Sequence, residues 1–231
     1  MSQSILSYIN FGNENEFKSD MLVSESISYF TFYNRSGEEK KKEICTYNTY
    51  NKVQFELRYD NEGNLKQRLS RQYNEIGKIT GAKFENWHNI LGHFSESTIY
   101  KYDTNNFLIL LIGRDQFNNT VRETTFINDE KGNPIELTIK LKGQLEGRET
   151  AIYNYDENEV EVSYFNSSNE FVSKNKSKIY YTVSEPGDII SEYGDVIKSD
   201  KYEMEIKYDK YGNWIKKVYS TISNGKLEKK S

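Results

Sequence analysis

The chain has 231 residues, of which 35% are apolar and 29% charged, and 31 basic against 35 acidic side chains leave a net charge of −4. That balance gives no electrostatic footprint for nucleic acid or for acidic membranes. A chain of this size can bury a core, and 19 Tyr, 12 Phe and 2 Trp supply much of its apolar surface, which argues against disorder. Cys45 has no second cysteine to pair with, so no intramolecular disulfide framework is available, and its strand-like neighbours predict a buried thiol.

In chain order, the first element is a short predicted helix over Ser4–Asn10, with Ile5, Leu6 and Ile9 on one side. The start of the chain has no basic segment followed by an apolar stretch of signal-peptide length, so the sequence as written reads as cytoplasmic, or as secreted or surface-bound if an export signal has been removed. From there period-two alternation takes over. Phe55, Leu57 and Tyr59 alternate with polar residues, as do Ile135, Leu137, Ile139 and Leu141, then Val160, Val162 and Tyr164, then Tyr202, Met204, Ile206 and Tyr208. Successive side chains of a strand point to opposite faces, so each segment has a dry face and a wet one, as antiparallel strands do. Phe107–Ile112 is apolar throughout, which predicts a strand covered on both faces, with the Ile5-to-Ile9 stretch as one cover. It is too short for a transmembrane helix, and no membrane insertion is expected.

Turns separate the strands. Tyr59-Asp-Asn-Glu-Gly-Asn-Leu65 is matched by Tyr73–Ile79 and Tyr208–Trp214, with weaker copies starting at 84, 102, 114, 128, 155 and 165. An Asp or Asn at the second position accepts a backbone N–H two residues on, and Gly or Asn at the fifth supplies the positive φ that closes a bulged hairpin. The fold expected is all-β: an antiparallel β-meander of about a dozen or more strands, curved or partly closed, in one domain over residues 1–231. The charged run Gly37–Glu43 and the loop Ser184–Asp188 are the places where a break would fall.

The Tyr-Asp-x-x-Gly-Asn-Leu/Trp motifs at 59–65 and 208–214 resemble the tyrosine–aspartate (YD, or Rhs-type) repeats of bacterial surface and toxin-delivery proteins. With the weaker copies the resemblance covers residues 55–220, although the period is uneven and most copies lack the Gly or the Tyr. It implies spiralling antiparallel sheets that present, enclose or bind other molecules and are not themselves catalytic.

Chemistry-bearing motifs are few. His88 and His93 are five residues apart with no cysteine or acid pair to complete a zinc set, and His88 is expected as a positive-φ turn residue. No EF-hand loop, phosphate-binding loop or nucleophile elbow occurs, so no cofactor or metal is implied. Trp87 and Tyr211 are expected inside turns, where a large ring has no required packing job, and with His88 they form the candidate partner-binding set. The sequence thus points to a non-catalytic interaction protein binding another protein, in a toxin, immunity or surface system. The alternatives are a carbohydrate-binding or glycan-processing module, which the acidic and aromatic side chains would serve, and a structural repeat segment of a larger assembly.

Overall fold

The computed structural model describes residues 4–10, 21–34, 37–180, 184, 186–223 and 226–229. It is an all-β chain with one short helix, α1 (Ile5–Asn10). Twelve antiparallel strands follow in sequence order within one open sheet: β1 (Glu25–Asn34), β2 (Gly37–Tyr47), β3 (Val53–Tyr59), β4 (Leu65–Tyr73), β5 (Ile79–His88), β6 (Gly92–Tyr102), β7 (Leu108–Arg114), β8 (Thr120–Asn128), β9 (Pro134–Leu141), β10 (Gln144–Asn154), β11 (Glu159–Asn166) and β12 (Phe171–Lys178). A second sheet holds β13 (Ile189–Ile190), β14 (Val196–Lys198), β15 (Tyr202–Tyr208), β16 (Trp214–Ser223) and β17 (Lys226–Lys229). The chain divides into two compact units, Met1–Glu14 with Arg68–Tyr181, and Asn15–Gln67 with Thr182–Ser231. The charged run Gly37–Glu43 is not a break: it lies inside β2, paired with β1.

Among the described residues one turn is built nine times. In the hairpin after β3, Asp60 N–H donates to Asn64 O, Gly63 N–H donates to Asp60 O, and Asp60 Oδ1 accepts the N–H groups of Glu62 and Asn64 at 3.0 and 2.9 Å. The same backbone bonds close the turns that begin at Asn48, Asn74, Asp103, Asp115, Asp129, Asn166, Ser191 and Asp209. The fourth residue of every one has φ between +55 and +83 in the left-handed region: Asn51, Gly63, Gly77, Asn106, Asn118, Gly132, Asn169, Gly194 and Gly212. Loss of hydration pushes the Asp60 carboxyl upward, but the N–H donors and the Lys66 ammonium outweigh it and hold its pKa down to about 2. The copies at Asn48 and Ser191 were not evident from the sequence. Those starting at 84 and 155 are not of this kind: Phe84–His88 is strand, and the β10–β11 connection is a shorter turn closed by Asn158 N–H to Tyr155 O.

The turn imposes a register slip on the strand that leaves it. Tyr102 faces Leu108 but Lys101 faces Leu110, so Ile109 is an extra residue. The same slip falls two residues after the turn at Gln54, Val121, Ile135, Val172, Ile197 and Ile215. A bulge breaks the period-two rule locally, so residues three apart share a face. Leu108 and Leu111 are therefore both buried, as are Pro134 and Leu137. Ile135, which plain alternation would group with Leu137, is exposed.

The core of the first unit forms on the face so selected. Leu108, Leu111, Phe126, Leu137, Ala151, Val160, Val162 and Ile179 cluster with Ile5 of α1, which is fully buried. Tyr8 of α1 packs on Phe126 with ring centroids 5.3 Å apart. The helix is held by its own cap, Ser4 Oγ accepting from Ser7 N–H at 3.1 Å, and by Glu149, whose Oε2 accepts from Ile5 N–H at 2.7 Å. Burial raises the Glu149 carboxyl above its usual value despite that bond. The expected cover is thus present, seated on β8–β10. The second face of β7 is not dry, however: Leu110 and Ile112 are half-buried and Ile109 is open to solvent. The bulge has already turned Leu108 toward the core, so one cover suffices for both ends of the strand.

Tyrosines tie successive turns together. Tyr155 Oη donates to Asp129 and accepts from Asn133 Nδ2 at 2.9 Å, and Tyr102 Oη donates to Ile79 O at 2.8 Å. Burial and the neighbouring Asp129 push the Tyr155 phenol up to about 12. Beside them the Phe107 ring lies flat over Gly132, where a Cβ would stand 2.5 Å from a ring carbon. Gly63 has the same positive φ with open space around it. Gly63→Ala should cost about 1 kcal/mol, the left-handed backbone penalty alone. Gly132→Ala adds displacement of the ring and should cost about 2–4 kcal/mol. Urea unfolding of the two variants checks the ranking, and equal losses would contradict it.

Candidate functional site

The sheet has one covered face over β7–β11, and the residues that face away from it are the ones free to meet a ligand. On β5 alternation sends Gly81, Lys83, Glu85 and Trp87 to one side, and register brings Ser97, Ser95 and His93 of β6 opposite Lys83, Glu85 and Trp87. Arg68 of β4 reaches the same place. Glu85 is buried, with only 5% of its surface exposed, and its carboxylate is clasped by Arg68 and Lys83, with His93 nearby. Arg68 Nε and Nη2 both reach Oε2, Lys83 Nζ is 3.2 Å from Oε1, and His93 Nε2 is 3.7 Å from the same oxygen. Burial pushes the Glu85 pKa upward, but the hydrogen bonds and charges of Arg68 and Lys83 outweigh it, and the net shift is downward.

Trp87 belongs to this cluster. Its ring centroid is 5.1 Å from that of His93, and the Arg68 guanidinium stands 5.8 Å above it. It is a strand residue, half-buried, and the expectation of a turn position is corrected: the 84–90 segment places the reversal three residues too early, and the turn comes at Gly92. His88 ends β5 in strand conformation rather than at positive φ. Its Nδ1 accepts the N–H groups of Ile90 and Leu91 at 3.1 and 3.2 Å, taking the part that an Asp or Asn side chain takes in the nine repeated turns. Next to the cluster a shallow groove of about 170 Å³ has both polar and apolar lining, with Ser70, Gln72, Lys83 and Ser97 beside Ala82 and Ile99.

Tyr211 is in a turn, as expected, and belongs to the other compact unit. Its N–H donates to Asp209 Oδ1 at 2.8 Å, its ring is exposed, and Lys210 Nζ lies 4.8 Å from the ring centre. The third turn position repeatedly carries an exposed apolar side chain, at Tyr50, Ile76 and Phe117 as well. The backbone bond there fixes the main chain while the side chain projects outward.

A second surface feature had no sequence signal. Ile109, Ile127, Ile135 and Ile152, on the four adjacent strands β7, β8, β9 and β10, are 37–71% exposed. Each directly follows a buried residue, respectively Leu108, Phe126, Pro134 and Ala151, so each points away from the covered face. Two of the four are bulge residues, which is why alternation counted along the sequence does not reveal the row. A set of contiguous exposed aliphatics on one sheet face marks an interaction surface more than scattered ones do.

Among the described residues no group of three or more His, Cys, Asp or Glu is placed to hold a metal ion, and no helix is long and apolar enough to cross a membrane. No family model matches the chain, and no curated protein matches it. Among solved structures it is similar to a porin-like protein from Bacteroides uniformis ATCC 8492, with a TM-score of 0.43 and 13% identity, covering 89% of this chain and 92% of that one.

The Glu85 clasp generates a test. Arg68→Met leaves a buried carboxylate short of its bidentate partner and should cost about 1–3 kcal/mol at neutral pH. Because the folded pKa of Glu85 lies below the ordinary 4.5, the stability it contributes is present above that value and is lost as pH falls through the folded one. The difference between wild type and variant should therefore shrink in acid. Urea unfolding at neutral pH and in acid checks this, and a difference independent of pH would contradict it.

Proposed function

We propose that this chain is a non-catalytic binding protein of YD-repeat-like type, presenting a sheet face to another protein in a bacterial toxin, immunity or surface system. The observation that carries the reading is the row of Ile109, Ile127, Ile135 and Ile152. Burying four aliphatic side chains of this exposure against a partner contributes several kcal/mol, about 1–2 for each. Nothing in the packing of β7–β10 requires those side chains to be apolar, since their neighbours already fill the core. The tightly turned hairpins fix them on a rigid surface, which lowers the entropic cost of binding.

A carbohydrate-binding role is the second reading, favoured by the groove that carries Ser70, Gln72 and Ser97 beside Trp87. One comparison separates the two. Affinity isolation with wild type and with the Ile127→Lys/Ile152→Lys variant should recover a specific protein only with wild type. Recovery of the same proteins by both, or glycan-array binding lost in Trp87→Ala and untouched by the lysine pair, would contradict the protein-partner reading.

A further inference from the structure

The isoleucine row runs into a groove whose charge is not balanced. At the β7–β8 end of the row, an open groove of about 730 Å³ has Phe107, Ile109 and Ile127 in its apolar lining and Asp103, Asp129 and Glu130 in its polar lining. The repeated turn places these groups together. Asp103 and Asp129 open the turns that lead into β7 and β9, and each fixes its own turn by accepting two backbone N–H groups on Oδ1. Ile109 is the bulge residue of β7. Turn chemistry thus sets carboxylates beside the exposed aliphatic side chains that the bulge displaces. Farther along the row, the carboxylates that face its isoleucines are met by bases. Glu136, opposite Ile127, pairs with Arg148 at 3.2 Å, and Glu161, opposite Ile152, pairs with Lys174 at 2.7 Å. In the groove this compensation is missing: among the described residues no salt bridge includes Asp103, Asp129 or Glu130, and no lysine or arginine lines it. The lysines that accompany the two turns are engaged elsewhere. Lys131 Nζ stands 3.4 Å from the centre of the Tyr155 ring, and Lys78 Nζ donates to Asn106 O and lies 5.3 Å from the centre of the Tyr102 ring.

We propose that this groove receives a basic, apolar segment of the partner protein, a stretch in which aliphatic or aromatic side chains are flanked by lysine or arginine. This deepens the protein-binding reading of the isoleucine row and rests on it. The apolar side chains of the segment cover Phe107, Ile109 and Ile127, and its cations meet the carboxylates around them. Charge complementarity selects this occupant. A neutral or acidic segment seated on the same apolar residues would take water from three carboxylates and return no counter-charge. A single metal ion is not the answer, because among the described residues no group of three acids is placed to hold one. Cationic charge spread along a chain suits acids that are spread along a groove. The net charge of −4 on the whole chain acts in the same direction, drawing a basic segment toward it.

The groove charge can be removed while the turn is kept. Asn opens the turns at Asn48, Asn74 and Asn166 with the same backbone bonds, and Asn74 Oδ1 accepts the N–H groups of Ile76 and Lys78 at 3.2 and 2.8 Å. Asp103→Asn therefore preserves the reversal, and Glu130 is an exposed side chain that tolerates Gln. The experiment selects a phage-displayed library of random peptides on the full chain at low ionic strength. Enriched peptides should combine lysine or arginine with aliphatic or aromatic residues. Fluorescence anisotropy of the tightest of them should show binding weakened about fivefold or more by Asp103→Asn/Glu130→Gln and by added salt. Ile109→Ser/Ile127→Ser should weaken it as well. Asp115→Asn/Asp209→Asn, which removes as much charge from two turns outside the groove, should leave it unchanged. Thermal unfolding of each variant checks that the fold is retained. Enriched peptides that are acidic or uncharged, or that bind Asp103→Asn/Glu130→Gln as tightly as wild type, would overturn the proposal. If such peptides are still lost on Ile127→Lys/Ile152→Lys, the protein-binding reading stands without it. A selection that enriches no peptide would also overturn it, leaving affinity isolation to decide the broader reading.

Discussion

The rest of the structure depends on the hydrogen bonds that one short polar side chain accepts at each repeated turn. In each repeated turn an Asp, Asn or Ser accepts the N–H that closes a reversal whose fourth residue sits at positive φ. That backbone path cannot lead straight back into a regular ladder, so the outgoing strand takes up an extra residue two positions later. The slip then decides which side chains reach the core. Leu108 joins Leu111, and Pro134 joins Leu137, only because Ile109 and Ile135 have been set aside. Turn chemistry, through the bulge, writes the face assignment of the sheet.

The consequence is a sheet with unequal faces. One side of β7–β11 is covered by α1, with Ile5 inserted among Leu137, Val160 and their neighbours. On β4 to β6 the sheet carries devices suited to water: Arg68 and Lys83 clasp Glu85, and the Trp87 ring lies between the Arg68 guanidinium and the His93 ring. Ile109 and Ile135, the bulge residues of β7 and β9, are displaced from the covered side and stand exposed, where a polar residue would serve equally well for folding. A sheet built in this way presents side chains from many neighbouring strands at fixed spacing, which suits recognition of a broad surface.

Much of this was legible in the sequence, for identifiable reasons. The alternation around Leu137 and Val160 and the Asp-x-x-Gly-Asn turns at 60 and 209 report directly on local backbone chemistry, and the short helix over Ile5–Ile9 was read from its apolar side and proved to be a cover. What was missed lies where one residue type stands in for another. Asn48 and Ser191 begin turns of the same geometry without the Tyr-Asp pair, and His88 acts as the N–H acceptor of a turn that the 84–90 pattern places too early. Trp87 was misassigned for that reason: a three-residue error in the turn moves a ring from strand to loop. The isoleucine row was invisible because a bulge inverts the parity from which faces are counted.

The claim that the turn-imposed bulge assigns the faces is tested most directly by methyl NOE spectroscopy on the wild-type chain. The account predicts that Leu108 and Leu111 methyls both connect to the buried cluster around Ile5 and Leu137, and that Ile109 methyls do not. Ile109 and Leu111 sharing contacts with that cluster, with Leu108 outside it, would show unbroken alternation and contradict the account.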